Sequence, residues 1–183
     1  MSAGFVHGMR PTTARAAAVS RSLRARSGAY LVCRRWALVA DLIAMASLSA
    51  VTLYQAGVLR HLPDPPVRGA ASDRVAASPP AYWVLHAPDA ALGMVSYAST
   101  LLLATAGGAD RYRTTPWLSQ LFAAKLLGDG LVAVVLLREE RRGGNGFCSW
   151  CMVASAAALL AAPLGLAEGV AATRVMRRTR GRR

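Results

Sequence analysis

Cysteine is scarce in this chain, with three in 183 residues. Three thiols cannot build a disulfide-rich scaffold, so the fold must be held by other means. Acid is scarce too: nine Asp and Glu stand against 22 Lys and Arg, and the first acid is Asp41. A basic, acid-free start resembles a transit peptide, but the C-terminal end is equally basic, which favours a plain basic tail at each end. A signal peptide is not evident, because the first apolar run is too long and lacks a small-residue cleavage site. There is no internal repeat and no sign of a second domain.

The formal net charge of +13 would ordinarily point to nucleic acid or an anionic surface. Position argues against nucleic acid. Arg10, Arg15, Arg21, Arg24, Arg26, Arg34 and Arg35 precede the first apolar run, and Arg174, Arg177, Arg178, Arg180, Arg182 and Arg183 follow the last. A nucleic-acid-binding fold would instead place them along a recognition element, among aromatic or polar contacts.

Apolar sequence is what the chain has in abundance. Hydrophobic residues make up 54% and charged residues 17%, and mean hydropathy is +0.32; these values lean toward a membrane protein. A bilayer takes about 20 mostly apolar residues to cross. Four segments qualify: Trp36–Leu59, Asp89–Ala109, Trp117–Leu137 and Phe147–Ala172. The expected fold is therefore all-α, an integral membrane four-helix bundle over residues 36–172. Basic tails flank it at 1–35, expected to be disordered, and at 173–183. Residues 60–88 form a long loop whose clustered prolines forbid a regular helix. Within that loop AYWVLH, Ala81–His86, reads as a short interfacial element.

Orientation follows from Lys and Arg in the loops. With four spans, both tails and the short loop carrying Arg111 and Arg113 share one side, which holds fifteen basic residues. The other side has six: Arg60, Arg68, Arg74, Arg138, Arg141 and Arg142. The N and C termini are expected to be cytoplasmic, with the long loop and REERRGGNG facing outward. Trp36 and Trp117 then mark the inner interface and Trp150 the outer one.

At the outward start of the fourth span stands GFCSWCMVAS, with Cys148 and Cys151. The pair admits three readings: a redox couple, half a metal site, or two passive thiols. A structural zinc needs four ligands. Cys33 lies on the opposite side, and His61 and His86 are not spaced as a ligand pair. The outward side of a bacterial membrane is oxidising, where disulfide chemistry belongs. Residues three apart share a helix face, and a helix N-terminus favours a thiolate at Cys148. Cys148 is expected at the aqueous edge, exchanging with an incoming thiol, and Cys151 one turn deeper.

Four spans, FCSWCM (Phe147–Met152) opening the fourth and PDAALGMVSY (Pro88–Tyr97) opening the second together resemble the vitamin K epoxide reductase family over roughly Trp36–Ala172. The resemblance implies a quinone-linked thiol oxidoreductase. Cys151 matches the cysteine that reacts with the quinone, and Cys148 the one that exchanges with a shuttle disulfide. Asp89 matches a position, usually Asn, that hydrogen-bonds a quinone oxygen. An Asp there donates only when protonated, and its plain alternative is an acid favoured by the helix dipole. Two departures stand out. Residues 60–88 lack the family's usual second cysteine pair, and Ser155 stands where the family often has a quinone-contacting Tyr. Tyr97 is the further candidate for the quinone pocket, with core packing as its first reading.

Lys125 and Asp129 lie four apart inside the third span, where charge is costly; an ion pair is the first reading and proton handling the second. Asp41 and Glu168 read as interfacial and solvated. Gly165 and Gly169 allow a close helix approach. The expected function is transfer of electrons from an extracytoplasmic thioredoxin-like protein through Cys148 and Cys151 to a quinone, menaquinone or ubiquinone, within membrane lipid and without metal or nucleic acid. Rival readings are a non-enzymatic assembly or anchoring subunit, and a maturation factor for a periplasmic redox enzyme on the same fold.

Overall fold

The computed structural model describes residues 10–25, 28–82, 87–144 and 146–181. Its elements are α1 (Arg10–Ala25), α2 (Ala29–Gln55), α3 (Ser72–Ala76), a 3₁₀ turn (Pro79–Tyr82), α4 (Asp89–Thr105), α5 (Arg111–Thr114), α6 (Pro116–Gly143) and α7 (Ser149–Arg180). Extended pairing among the described residues is limited to an isolated parallel bridge between Ala70 and Phe147. The protein is all-helical, as the apolar runs imply.

Three helices, α2, α6 and α7, are long and apolar enough to cross a membrane. Their outer faces stay apolar: Leu131, Val132, Val135 and Leu136 of α6 and Leu160 and Val170 of α7 are exposed. Helices apolar on every face belong in a core or in lipid. The run expected at 89–109 forms a shorter helix, α4, of 17 residues. At 1.5 Å per residue this is about 25 Å. It ends at Thr105, where Ala106 turns extended and Gly107 follows with a left-handed φ of +79°.

The other boundaries shift as well. α2 starts seven residues before Trp36 and ends at Gln55, ahead of Gly57 at φ +76°. REERRG, residues 138–143, is not loop but the last turns of α6, which Gly144 ends with a left-handed φ of 63°. α7 continues through Pro163 into the basic C-terminal segment. In the N-terminal segment, expected to be disordered, residues 10–25 are helical. Of the expected AYWVLH element, Ala81 and Tyr82 close the 3₁₀ turn, and Trp83–His86 lie outside the described residues.

α6 packs along α7, α7 along α2, α2 along α4, and α4 along α6. Small residues permit the approach. A Cβ on Gly165 would meet Leu126 at 2.5 Å, and one on Gly169 would meet the Ala123 Cβ at 2.6 Å. The Gly-x-x-x-Gly face is thus filled by α6 of the same chain. Gly93, from the PDAALGMVSY segment, sets α4 against Leu48 of α2 in the same way.

Glu168, read as solvated, is 1% exposed. It accepts from Arg111 Nε at 2.6 Å, Arg111 Nη2 at 3.1 Å and Ser119 Oγ at 2.8 Å. Arg111 is itself buried, stacks on Phe122 and donates to the Leu103 and Ala106 carbonyls. A buried carboxylate needs such pairing, since burial without it is costly. Asp41, also read as solvated, is 3% exposed on the inner face of α2. Both acids sit near span ends in the sequence, yet each faces inward between helices.

Candidate functional site

Cys148 is the N-cap of α7. An N-cap is usually an oxygen-bearing side chain that accepts one of the helix's unpaired N–H groups. Here the thiol does this work: the Cys151 N–H donates to Cys148 Sγ at 3.2 Å. The neighbouring donors are also matched. The Cys148 N–H reaches Glu140 Oε1 at 2.5 Å, and the Ser149 N–H reaches Ser72 Oγ at 3.0 Å. All three cysteines are free thiols.

The loop between α2 and α4 is built over this helix start. Asp64 accepts from the Ser72 N–H at 2.8 Å, from Ser72 Oγ at 2.5 Å and from Ser149 Oγ at 2.6 Å. These bonds hold its carboxyl below the usual carboxylate range, overcoming burial, which pushes the other way. The Trp150 indole donates to the Pro63 carbonyl at 3.1 Å, while the Ser47 hydroxyl of α2 donates to the Trp150 carbonyl at 2.7 Å. Ala70 and Phe147 add the backbone bridge, with Ala71 N–H to Phe147 O and Phe147 N–H to Gly69 O both at 2.9 Å.

The loop corrects one expectation. Cys148 is 0% exposed, packed with Leu62, Ala76 and Ala90, while Cys151 is half-buried. The thiol expected at the aqueous edge is the covered one, because residues 62–76 fold down on it. Cys148 is nonetheless held below an ordinary thiol. Hydrogen bonding with the Cys151 thiol is the largest cause, burial opposes it, and the Cys151 N–H and Ser72 add to the lowering. A thiolate is the reactive form. Alkylation of Cys148 is therefore expected to reach half its maximal rate below the pH of a free cysteine, about 8.5, and to be lost as pH falls through that lower midpoint. The readout is the midpoint in a pH series of maleimide labelling; one at or above the free-cysteine value contradicts the geometry.

The other sequence candidates fall in two places. Tyr97 and Cys151 pack against the same apolar cluster, formed by Ala44, Leu48, Ala90, Ala154 and Ala157. Ser155 is buried on α7, and Asp89 is exposed at the start of α4, where Gln55 Nε2 donates to it at 2.8 Å. The Asp89 charge acts on Cys151. Gln55 Oε1 is buried without a partner among the described residues. Lys125 and Asp129 sit elsewhere, about three turns along α6 from Glu140. Lys125 Nζ lies 2.6 Å from both Asp129 oxygens. A cavity of about 310 Å³ opens between the ends of α6 and α7, lined by Leu137, Glu140, Phe147 and Met152 among others; Asp89, Ser155 and Tyr97 do not line it.

Asp64, Ser72 and Glu140 escaped the sequence reading. The one available signal was Asp64 itself, an acid fixed between prolines in LPDPP. Among the described residues, no group of three or more His, Cys, Asp or Glu could hold a metal ion.

Known proteins were compared with this arrangement. A family model described as Vitamin K epoxide reductase family matches residues 35–166. No curated protein and no solved structure matches the chain.

Proposed function

Because the chain belongs to the vitamin K epoxide reductase family, we propose that it passes electrons from an extracytoplasmic thioredoxin-like protein, through Cys148 and Cys151, to a quinone. The family's general character is that of membrane thiol–disulfide oxidoreductases that use quinones. The observation that carries the reading is the capped pair: a thiol of lowered pKa at a helix start, bonded to the N–H of its partner cysteine.

In the proposed arrangement α2, α4, α6 and α7 all cross the bilayer, α4 as its shortest member. Residues 36–172 form the membrane unit. The basic segments 1–35 and 173–183 are cytoplasmic, and the loop 60–88 is outward with the cysteines.

The residues around Cys151 fit a quinone. They offer an apolar wall, from Ala44, Leu48, Ala90 and Ala154, and beside Asp89 a buried amide oxygen, Gln55 Oε1, that can accept from the hydroxyl of a reduced quinone. Asp89, Tyr97 and Ser155 would complete the pocket. The quinone, menaquinone or ubiquinone, supplies a two-electron, two-proton acceptor. The protein's part starts from the Cys148–Cys151 disulfide. A partner thiolate attacks Cys148 Sγ, the Cys148–Cys151 bond breaks, and Cys151 leaves as a thiolate. The partner's second thiol then resolves the mixed disulfide, leaving the partner oxidised and both cysteines reduced. Cys151 hands on the electron pair and the internal disulfide re-forms. With no cysteine in 60–88, the partner must reach Cys148 directly, so residues 62–76 must move aside first.

The test is quinone-dependent oxidation of dithiothreitol by the purified protein in lipid, read with the redox state of Cys148 and Cys151 in whole cells. A disulfide that turns over with quinone supply supports the reading. Permanently reduced, unreactive thiols support the rival, a non-enzymatic assembly or anchoring subunit, which the full burial of Cys148 favours. A maturation factor for a periplasmic redox enzyme would instead turn over only with that enzyme's thiols.

A further inference from the structure

Asp41 has no part in the thiol chemistry described above, yet its surroundings are unusual. It lies on the inner face of α2, 3% exposed, and its Oδ2 has no hydrogen-bond partner among the described residues. The charges that act on it come from α6, Asp129 and Lys125. From α4, Tyr97 feels both Asp41 and Asp129. Asp129 is already a matched anion. It takes both contacts from Lys125, one from Ser96 Oγ at 3.0 Å and one from Thr100 Oγ1 at 2.9 Å. Lys125 Nζ also donates to Ser96 Oγ at 2.9 Å.

Two carboxylates around one ammonium leave one excess negative charge between apolar helices. An unpaired buried carboxylate there is costly, and a single proton removes the excess. Asp129, with four contacts from three donor groups, is the better anion, so the proton belongs on Asp41. We propose that Asp41 is a proton-binding site inside the helix assembly, neutral at rest, which gives up its proton during turnover and exchanges it with the Lys125–Asp129 network.

This use of the proton rests on the thiol–quinone function proposed above. Two thiols surrender two electrons and two protons, and the acceptor gains two of each. The proton lost by the thiolate at Cys148 goes to outer water, so a proton for the acceptor has to come from another acid. Asp41 shares the inner face of α2 with Ser47, whose hydroxyl bonds the Trp150 carbonyl beside Cys151. Two turns the other way on that face, Arg34 Nη1 is buried and likewise has no partner among the described residues. Ordered water bonded to these two orphaned polar atoms would give Asp41 a route by which to regain its proton.

The test is infrared absorption of the full-length protein in lipid, in H₂O and D₂O. The wild type minus Asp41→Asn spectrum is expected to show one protonated-carboxyl C=O band that shifts in D₂O. Lys125→Met is expected roughly to double the band, because Asp129 then takes a proton as well. Should D41N fail to fold, Asp129→Asn serves in its place. Lys125 is then left with Asp41 alone to pair with, and the band vanishes with Asp41 still present. A band that persists in D41N or D129N, or is missing from the wild type, overturns the proposal. A wild type that shows the band but does not carry electrons from dithiothreitol to a short-chain ubiquinone sinks the oxidoreductase reading alone. One that carries the electrons without the band sinks the Asp41 site alone.

Discussion

Cys151→Ser is expected to reduce quinone-dependent dithiol oxidation to the uncatalysed background while trapping the protein's thiol partner. The argument is one of position. Cys148 and Cys151 are one turn apart on α7, with Cys148 Sγ already accepting the Cys151 N–H. Cys148 can still enter a mixed disulfide in the variant, its thiolate attacking the disulfide of an oxidised partner and displacing one partner thiolate. Within this protein no second thiol remains to release it, because Cys33 is far along the chain in the first turns of α2 and residues 60–88 contain no cysteine; acid quenching with N-ethylmaleimide blocks the other route, attack by the partner's own second thiol. The adduct should therefore accumulate on Cys148, visible as a reducible band on a gel and identifiable by mass spectrometry. Cys148→Ser should lose the same activity and give no adduct. Turnover at the wild-type rate in Cys151→Ser would overturn the assigned electron path.

The second large effect is expected from Asp64→Ala. That carboxylate receives three hydrogen bonds from Ser72 and Ser149 and so fastens residues 62–76 to Ser149, between the two cysteines. Bonds to a charged group contribute about 1.5–3 kcal/mol each when buried, and less when half-exposed. A combined loss of about 3 kcal/mol is a reasonable total for this half-buried site. Since 1.4 kcal/mol is tenfold in an equilibrium, the opened loop should become about 10²-fold more populated. Cys148 labelling by maleimide at fixed pH should accelerate by that factor, with the helix content unchanged. A rate within about twofold of wild type would mean that the loop is not what covers the thiol.

Much of this molecule was legible in its sequence, for physical reasons that also explain the rest. Long apolar runs announce helices, and the helices are where they were expected. Their ends were misplaced because apolarity reports solvent preference, not backbone hydrogen bonding. REERRG continues α6 despite its charge, and the left-handed Gly144 stops it. The cysteine pair at a helix start was readable from its spacing. Its cover was not, since Ser72 meets Ser149 and Pro63 meets Trp150 across more than seventy residues of chain. Asp41 and Glu168 failed for a different reason. Depth along a span can be counted from the sequence, but whether an acid faces lipid, water or a neighbouring helix depends on how that helix is rotated.

The sulfur cap on α7 has a consequence for the poise of the pair. In the dithiol form, Cys148 Sγ is a low-pKa acceptor that ties down the first turn of the helix. Once that sulfur is bonded to Cys151 it can no longer be a thiolate, and the Cys151 amide loses its charged acceptor. An N-cap bond contributes about 1 kcal/mol, which for a two-electron couple corresponds to roughly 20 mV. The stabilisation belongs to the reduced form alone, so it raises the midpoint potential. It biases the pair toward drawing electrons out of a partner, and the same bond that orders the helix makes its disulfide the more oxidising.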